Sequence, residues 1–262
     1  MARFDPVRRI RIIAGAAALA AVAVAAAGCG SNDGPAAAAA ATTTAGGSLP
    51  QGAQKVHLNP ADFTTKIDNP WLPMAPGSRW VYRDSVGRKA RDTITVTNRT
   101  EVVAGVTARI VHDVATENGR IVEDTFDWFA QDQAGNVWYL GEATREFKNG
   151  KPASSGGSWK AGVDGAQAGI AMPAHPTTGQ RYRQEYRKGH AEDRAAVLSV
   201  DEQVQAPYGH FKPAVLTKEY TPVEPKALEY KLYAKNVGQI ASVGVSGDID
   251  REELLSYRKG SG

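Results

Sequence analysis

The chain has 262 residues, with 31 Lys and Arg, 28 Asp and Glu, and a single cysteine, Cys29. Four of the arginines and one aspartate lie in residues 1–28, leaving 27 of each sign in the rest, and so balanced a body gives no electrostatic case for nucleic acid or an anionic lipid surface as partner. One cysteine also excludes an intrachain disulfide, so a hydrophobic core must carry the fold.

Arg3, Arg8, Arg9 and Arg11 precede an uncharged apolar run from Ile12 to Ala27, after which Gly28 leads into Cys29. A basic start, a short apolar stretch and small residues make a secretion signal. The run is mostly alanine and shorter than the ~20 residues that span a bilayer. The segment resembles a bacterial lipobox, with Ala26 where leucine is usual. That resemblance implies a signal peptide over residues 1–28, cleavage before Cys29, a diacylglycerol on its thiol, and an extracytoplasmic protein held on the cell membrane by lipid. An ordinary secretory signal cut near Ala27 is the alternative.

Residues 29–54 read as a flexible linker, because an alanine run, three threonines and glycines offer too little apolar surface to repay ordering. The globular body is expected over residues 55–262. Asn59-Pro60-Ala61-Asp62 predicts one capped helical turn. From there the pattern alternates with period two, and helical periodicity is absent. Strands are expected at Arg79–Arg83, Arg91–Thr97, Glu101–Ala104 and Ala108–Thr116. Asn118-Gly119 is a hairpin turn, since both residues tolerate positive φ. The next strand puts Phe126, Trp128 and Ala130 on one face and Asp127 and Phe129 on the other, and Asp132 to Asn136 turns it into Val137–Leu140. At the end, Glu252–Tyr257 is expected to pair with Gln239–Val245.

The body reads as two similar halves. Gly77-Ser-Arg-Trp80-Val-Tyr82 corresponds to Gly179-Gln-Arg-Tyr182, and Phe126 to Gln131 corresponds to Tyr230 to Lys235. The expected fold is therefore all-β and antiparallel. Two pseudo-repeated β-meanders, at about 70–150 and 179–258, form a curved sheet, barrel or clam, joined by a glycine-rich connection at 151–178.

No nucleophile elbow, zinc-protease, phosphate-loop or dinucleotide-binding string occurs, and the five histidines lack metal-ligand spacing. No cofactor, metal or catalytic residue is implied. Trp80, Tyr82, Trp128, Trp138 and Trp159 are candidates for a ligand lining, Trp159 lying in the connection as either pocket wall or plug. Asp124, Asp127 and Asp164 are the alternative acid, base or metal-binding groups, since paired carboxylates can run glycoside hydrolysis. Alternation sends Glu123 and Asp127 to one face of their strand and Asp124 to the other.

The strings Asp68-Asn69-Pro70-Trp71-Leu72-Pro73, Pro76-Gly77-Ser-Arg-Trp80-Val-Tyr82, Glu123-Asp124-Thr-Phe126-Asp-Trp128-Phe-Ala-Gln131-Asp132 and Gly169-Ile-Ala-Met172-Pro173-Ala174 resemble a family of exported bacterial proteins and lipoproteins of unknown function. The resemblance implies an exported β protein and carries no activity. Two readings follow from the sequence. One is a non-enzymatic, membrane-anchored lipoprotein that binds an apolar or amphipathic small molecule or an envelope protein. The other is an envelope hydrolase using the carboxylates. The oligomeric state is left open.

Overall fold

The structure, a computed structural model, describes residues 48–84, 89–247 and 249–261. The signal segment and Cys29 lie outside the described residues. After a 3-10 turn at Pro60–Asp62, capped by the Asn59 side chain accepting from Ala61 N, the body is strand throughout. Its strands are β1 (Phe63–Thr64), β2 (Arg79–Asp84), β3 (Ala90–Val103), β4 (Val106–Glu117), β5 (Arg120–Asp132), β6 (Val137–Lys148), β7 (Lys151–Ser154), β8 (Trp159–Lys160), β9 (Gln167–Met172), β10 (Arg181–Arg183), β11 (Glu185–Tyr186), β12 (Arg194–Ala206), β13 (Gly209–Tyr220), β14 (Leu228–Ala234), β15 (Gly238–Ser246) and β16 (Arg251–Arg258).

The strands pair antiparallel in the order β10-β12-β13-β14-β15-β16-β2-β3-β4-β5-β6-β9-β11, with β1 added on β5 and both β7 and β8 on β6. Two meanders are thus welded where the last strand meets the first of the barrel, Tyr257 opposite Trp80 and Arg258 opposite Arg79. The other seam is made by one stretch of chain. Arg181–Arg183 pairs with β12 and Glu185–Tyr186 pairs with β9, so the sheet is nearly closed into a barrel, and closure removes the exposed edges that invite aggregation.

Closure explains several local choices. A Cβ on Gly169 would come within 2.3 Å of Gln184 O, so only glycine lets β9 meet the closing stretch. Asn118 and Gly119 take φ of 52° and 77°, the two positive values a tight hairpin needs. Two corners are built alike: Gly77 N donates to Val96 O and Val96 N to Ser78 O, as Gly179 N donates to Val197 O and Val197 N to Gln180 O.

Three features differ from the sequence expectation. Ala90–Val103 form one strand, bent by a register shift between Val96 and Thr100, where the pattern predicts two. The glycine-rich connection contains β8 and a stave of the barrel, β9. Residues 48–54, taken as linker, are docked: Arg183 N donates to Pro50 O, and the Arg183 guanidinium donates to the carbonyls of Gly52 and Gln54.

One end of the barrel is capped by residues 65–76, whose Ile67, Trp71 and Met74 are buried. Asn69 is their staple. Its amide donates to Gly135 O and Pro173 O, and its carbonyl accepts from Trp71 N and Leu72 N.

Candidate functional site

Period-two alternation makes each strand write one line of the interior, and the lines agree on a layered arrangement. Under the cap lie Trp80, Tyr82, Ile94, Phe129 and Tyr233, which with Leu72 and Met74 border a cavity of about 20 Å³. That is room for about one water. Below it, tyrosine hydroxyls form a boundary. Tyr139 OH lies 2.7 Å from Asp127 Oδ1 and 2.8 Å from Glu142 Oε2, while Tyr233 OH lies 3.4 Å from Glu219 Oε1. Each ring stays in the apolar layer and each hydroxyl enters the polar one.

The half of the interior beyond the tyrosines is rich in carboxyl groups. Asp92, Glu142, Glu185, Asp193, Glu219 and Glu229 are all buried, and Lys231 sits among them with Nζ 2.9 Å from Glu219 and 3.4 Å from Glu229. Burial would lower the lysine's proton affinity, but Glu219 and Glu229 lift it above its ordinary range. Burial pushes the carboxyls the other way. Asp193 rises to about 7, with Thr221 and Lys231 opposing and Glu219 adding, and Glu229 rises to about 8 despite Lys231. Glu142 and Glu185 rise well above the usual carboxylate range, first through burial and then through neighbouring acids, Glu185 and Asp127 for the former and Asp193 for the latter.

Backbone irregularities aim these groups. A bulge pairs Trp128 with Gly141 but Phe129 with Tyr139, so Glu142 faces inward beside Tyr139 where regular alternation would turn it out. At the seam, Gln184 N and Glu185 N both donate to Asp193 O, at 2.7 and 3.4 Å. Arg183 and Tyr186 face outward together, the guanidinium 5.9 Å from the ring centroid. Gln184 and Glu185 therefore share the inner face with Asp193 opposite them. Several inward polar atoms remain unused: Gln184 Nε2 and Oε1, Glu142 Oε1 and Tyr182 OH have no hydrogen-bond partner among the described residues. Trp159 Nε1 is directed toward the Glu185 carboxyl, whose proton affinity it lowers.

The residues singled out from the sequence are divided among these regions. Trp80 and Tyr82 border the small cavity, and Trp159 lies inside, edge-on to Tyr139 at 5.3 Å. Trp128 and Trp138 do not join them. They point out of the barrel, Trp128 donating to Glu101 beneath Lys160 and Trp138 donating to Asp132 against Phe63. The three aspartates are likewise apart. Asp127 is inside; Asp124 is outside, 2.6 Å from His112 Nε2; Asp164 is exposed and 3.3 Å from Arg187. Alternation assigned Asp124 and Asp127 to their faces, and Glu185 and Asp193 are, with Glu192, carboxylates legible near the equivalent place in the second half; Glu142 and Gln184 are placed by bulges that alternation does not announce. Among the described residues no three His, Cys, Asp or Glu side chains converge as metal ligands.

No family model matches the chain, and no curated protein matches it. A similar solved structure is that of a "putative lipoprotein" from Parabacteroides distasonis ATCC 8503, at 14% identity and a TM-score of 0.38, covering 72% of this chain and 98% of that one. A likeness of that size carries no argument about activity, and the fold rests on this chain's own strand pairing.

Proposed function

We propose that the protein is a non-enzymatic, lipid-anchored binding protein of the bacterial cell envelope that holds a small molecule in the polar half of its barrel. The observation that carries this reading is the set of buried, inward-facing polar atoms without partners on Gln184, Glu142 and Tyr182. Buried polar groups are almost always satisfied, and leaving them unpaired costs stability that an apolar core would not lose. The largely apolar cavity under the cap has room for about one water and is too small for a hydrocarbon ligand. Attachment falls to a lipid on Cys29, because the balanced charge of residues 29–262 offers a membrane surface little attraction.

The hydrolase reading has one observation behind it, the pair Asp127 and Glu142. Both carboxyls reach the same phenol, so Tyr139 occupies the space a scissile bond would need, and the two acids are 0% and 2% exposed. Glycoside hydrolysis requires a substrate and a water between its carboxyls. The pair therefore supports a binding wall better than a catalytic dyad.

The Cys29→Ser chain provides the test. It is expected to appear as a folded protein free of membranes, and native mass spectrometry of it after gentle isolation is expected to show an adduct of one defined mass. Firm membrane attachment of the variant would remove the lipid anchor from the reading. Bare protein in repeated preparations would remove the ligand and leave a scaffold role.

A further inference from the structure

Charge in the polar half does not balance along the seam. Among the described residues the buried cations are Lys231 and Arg183. Lys231 is engaged by Glu219 and Glu229. Arg183 points outward, donating to the carbonyls of Gly52, Gln54 and Ala168. Neither lies against the Glu142 carboxyl, whose Oε1 accepts from no group while its Oε2 takes the Tyr139 hydroxyl. Glu185 and Asp193 follow on the same inner face, where burial first and then Asp193 raise the proton affinity of Glu185, with Lys231 opposing.

A second observation is independent of the acids. The Gln184 side chain is 1% exposed, faces inward beside Asp193, and leaves both its amide nitrogen and its amide oxygen without a partner. An amide in that position can accept from a ligand N–H and donate to a ligand oxygen. Tyr182 OH offers a further donor on the interior. Acceptors that outnumber donors, each with directional lone pairs, suit a group carrying several N–H bonds.

We infer that the seam of the barrel, at Glu142, Gln184, Glu185 and Asp193, is a binding site for an organic amine, whose ammonium group is held by the carboxyls and by the Gln184 carbonyl. The inference rests on the binding reading above and names its ligand class. An ammonium supplies three donors and a positive charge, which pairs with carboxylates through strong, charge-assisted hydrogen bonds. In its absence protons held by the acids take its place.

Calorimetric titration of the Cys29→Ser protein with spermine, 1,5-diaminopentane, 1,5-pentanediol and glutarate tests this. The two amines are expected to bind, with the diol and the dianion at least about tenfold weaker. Glu185→Gln and Asp193→Asn are each expected to weaken spermine binding by about tenfold or more, while thermal unfolding shows a folded protein of equal or higher stability, since each change relieves repulsion. Glu142→Gln gives a third variant on a different strand. The inference is overturned if no amine binds, if the diol binds as well as the diamine, or if spermine binding is indifferent to all three substitutions, as adsorption to outer carboxylates would be. A neutral or anionic adduct in the native mass spectrum would overturn it too, while leaving the binding reading intact. Seam-dependent spermine binding to a protein that carries no adduct would do the reverse.

Discussion

Lys231 shows how finely this interior is set at the scale of one residue. Its ammonium is buried between Glu219 and Glu229, and a buried ion pair that loses one partner leaves an uncompensated charge at a cost of about 3–5 kcal/mol. Lys231→Met is therefore expected to lower the melting temperature by about 10 °C at pH 8, read by circular dichroism. At pH 5 the loss is expected to be smaller, because Glu229 then holds a proton. An equal loss at both values would mean that Lys231 acts through packing alone. The inward acids were only partly legible in the sequence. Glu123 and Asp127 follow simple alternation on a long strand, but Glu142 follows a bulge at Gly141, whose φ of 136° and close approach to Trp159 O no period-two pattern announces.

Among the elements, the closing stretch from Arg181 to Tyr186 decides whether there is a barrel. Gly169 is the point of closest approach, and Gly169→Ala would drive a methyl into the carbonyls of Gln184 and Arg183. Loss of the seam is the expected outcome, with a fall in stability of about 3 kcal/mol or more and faster hydrogen exchange over β9 and β12. Alanine at Gly165, where nothing lies within 4 Å of a new Cβ, strains only the local turn and is expected to leave exchange at the seam unchanged. The hairpins and the strand at the C-terminus were readable because turn chemistry and alternation are local. The role of the connection was not: glycines that lower strand propensity read as loop, although Gly169 is there to let two backbones meet. Nor did spacing reveal that Asn69 fastens the cap, since its partners at Gly135 and Pro173 are distant in the chain.

Across the whole molecule, the carboxyl-rich interior ties stability to pH. Unfolded, these acids ionise near pH 4, whereas in the fold Asp193 does so at about 7 and Glu229 at about 8. Between those limits the folded protein keeps protons that the unfolded chain has released, so stability must fall as pH rises. The groups facing Asp193 are Glu185, Glu219, Lys231, Glu224 and Thr221, and those facing Glu229 are Lys231, Glu219, Asp250 and Ser242. Lys231 stays charged throughout and does not reverse the sign. The melting temperature is expected to peak near pH 5 and to be lower by about 5 °C or more at pH 8.5, a flat or rising profile contradicting the burial of these acids. The pairing of β16 with β2 has a consequence in time. On a ribosome the partner that β2 needs emerges after every other described strand, so the first meander must wait with one edge open until Arg251–Arg258 has been made. Synthesis of β16, rather than any event midway, is what brings the carboxyl-rich interior into being.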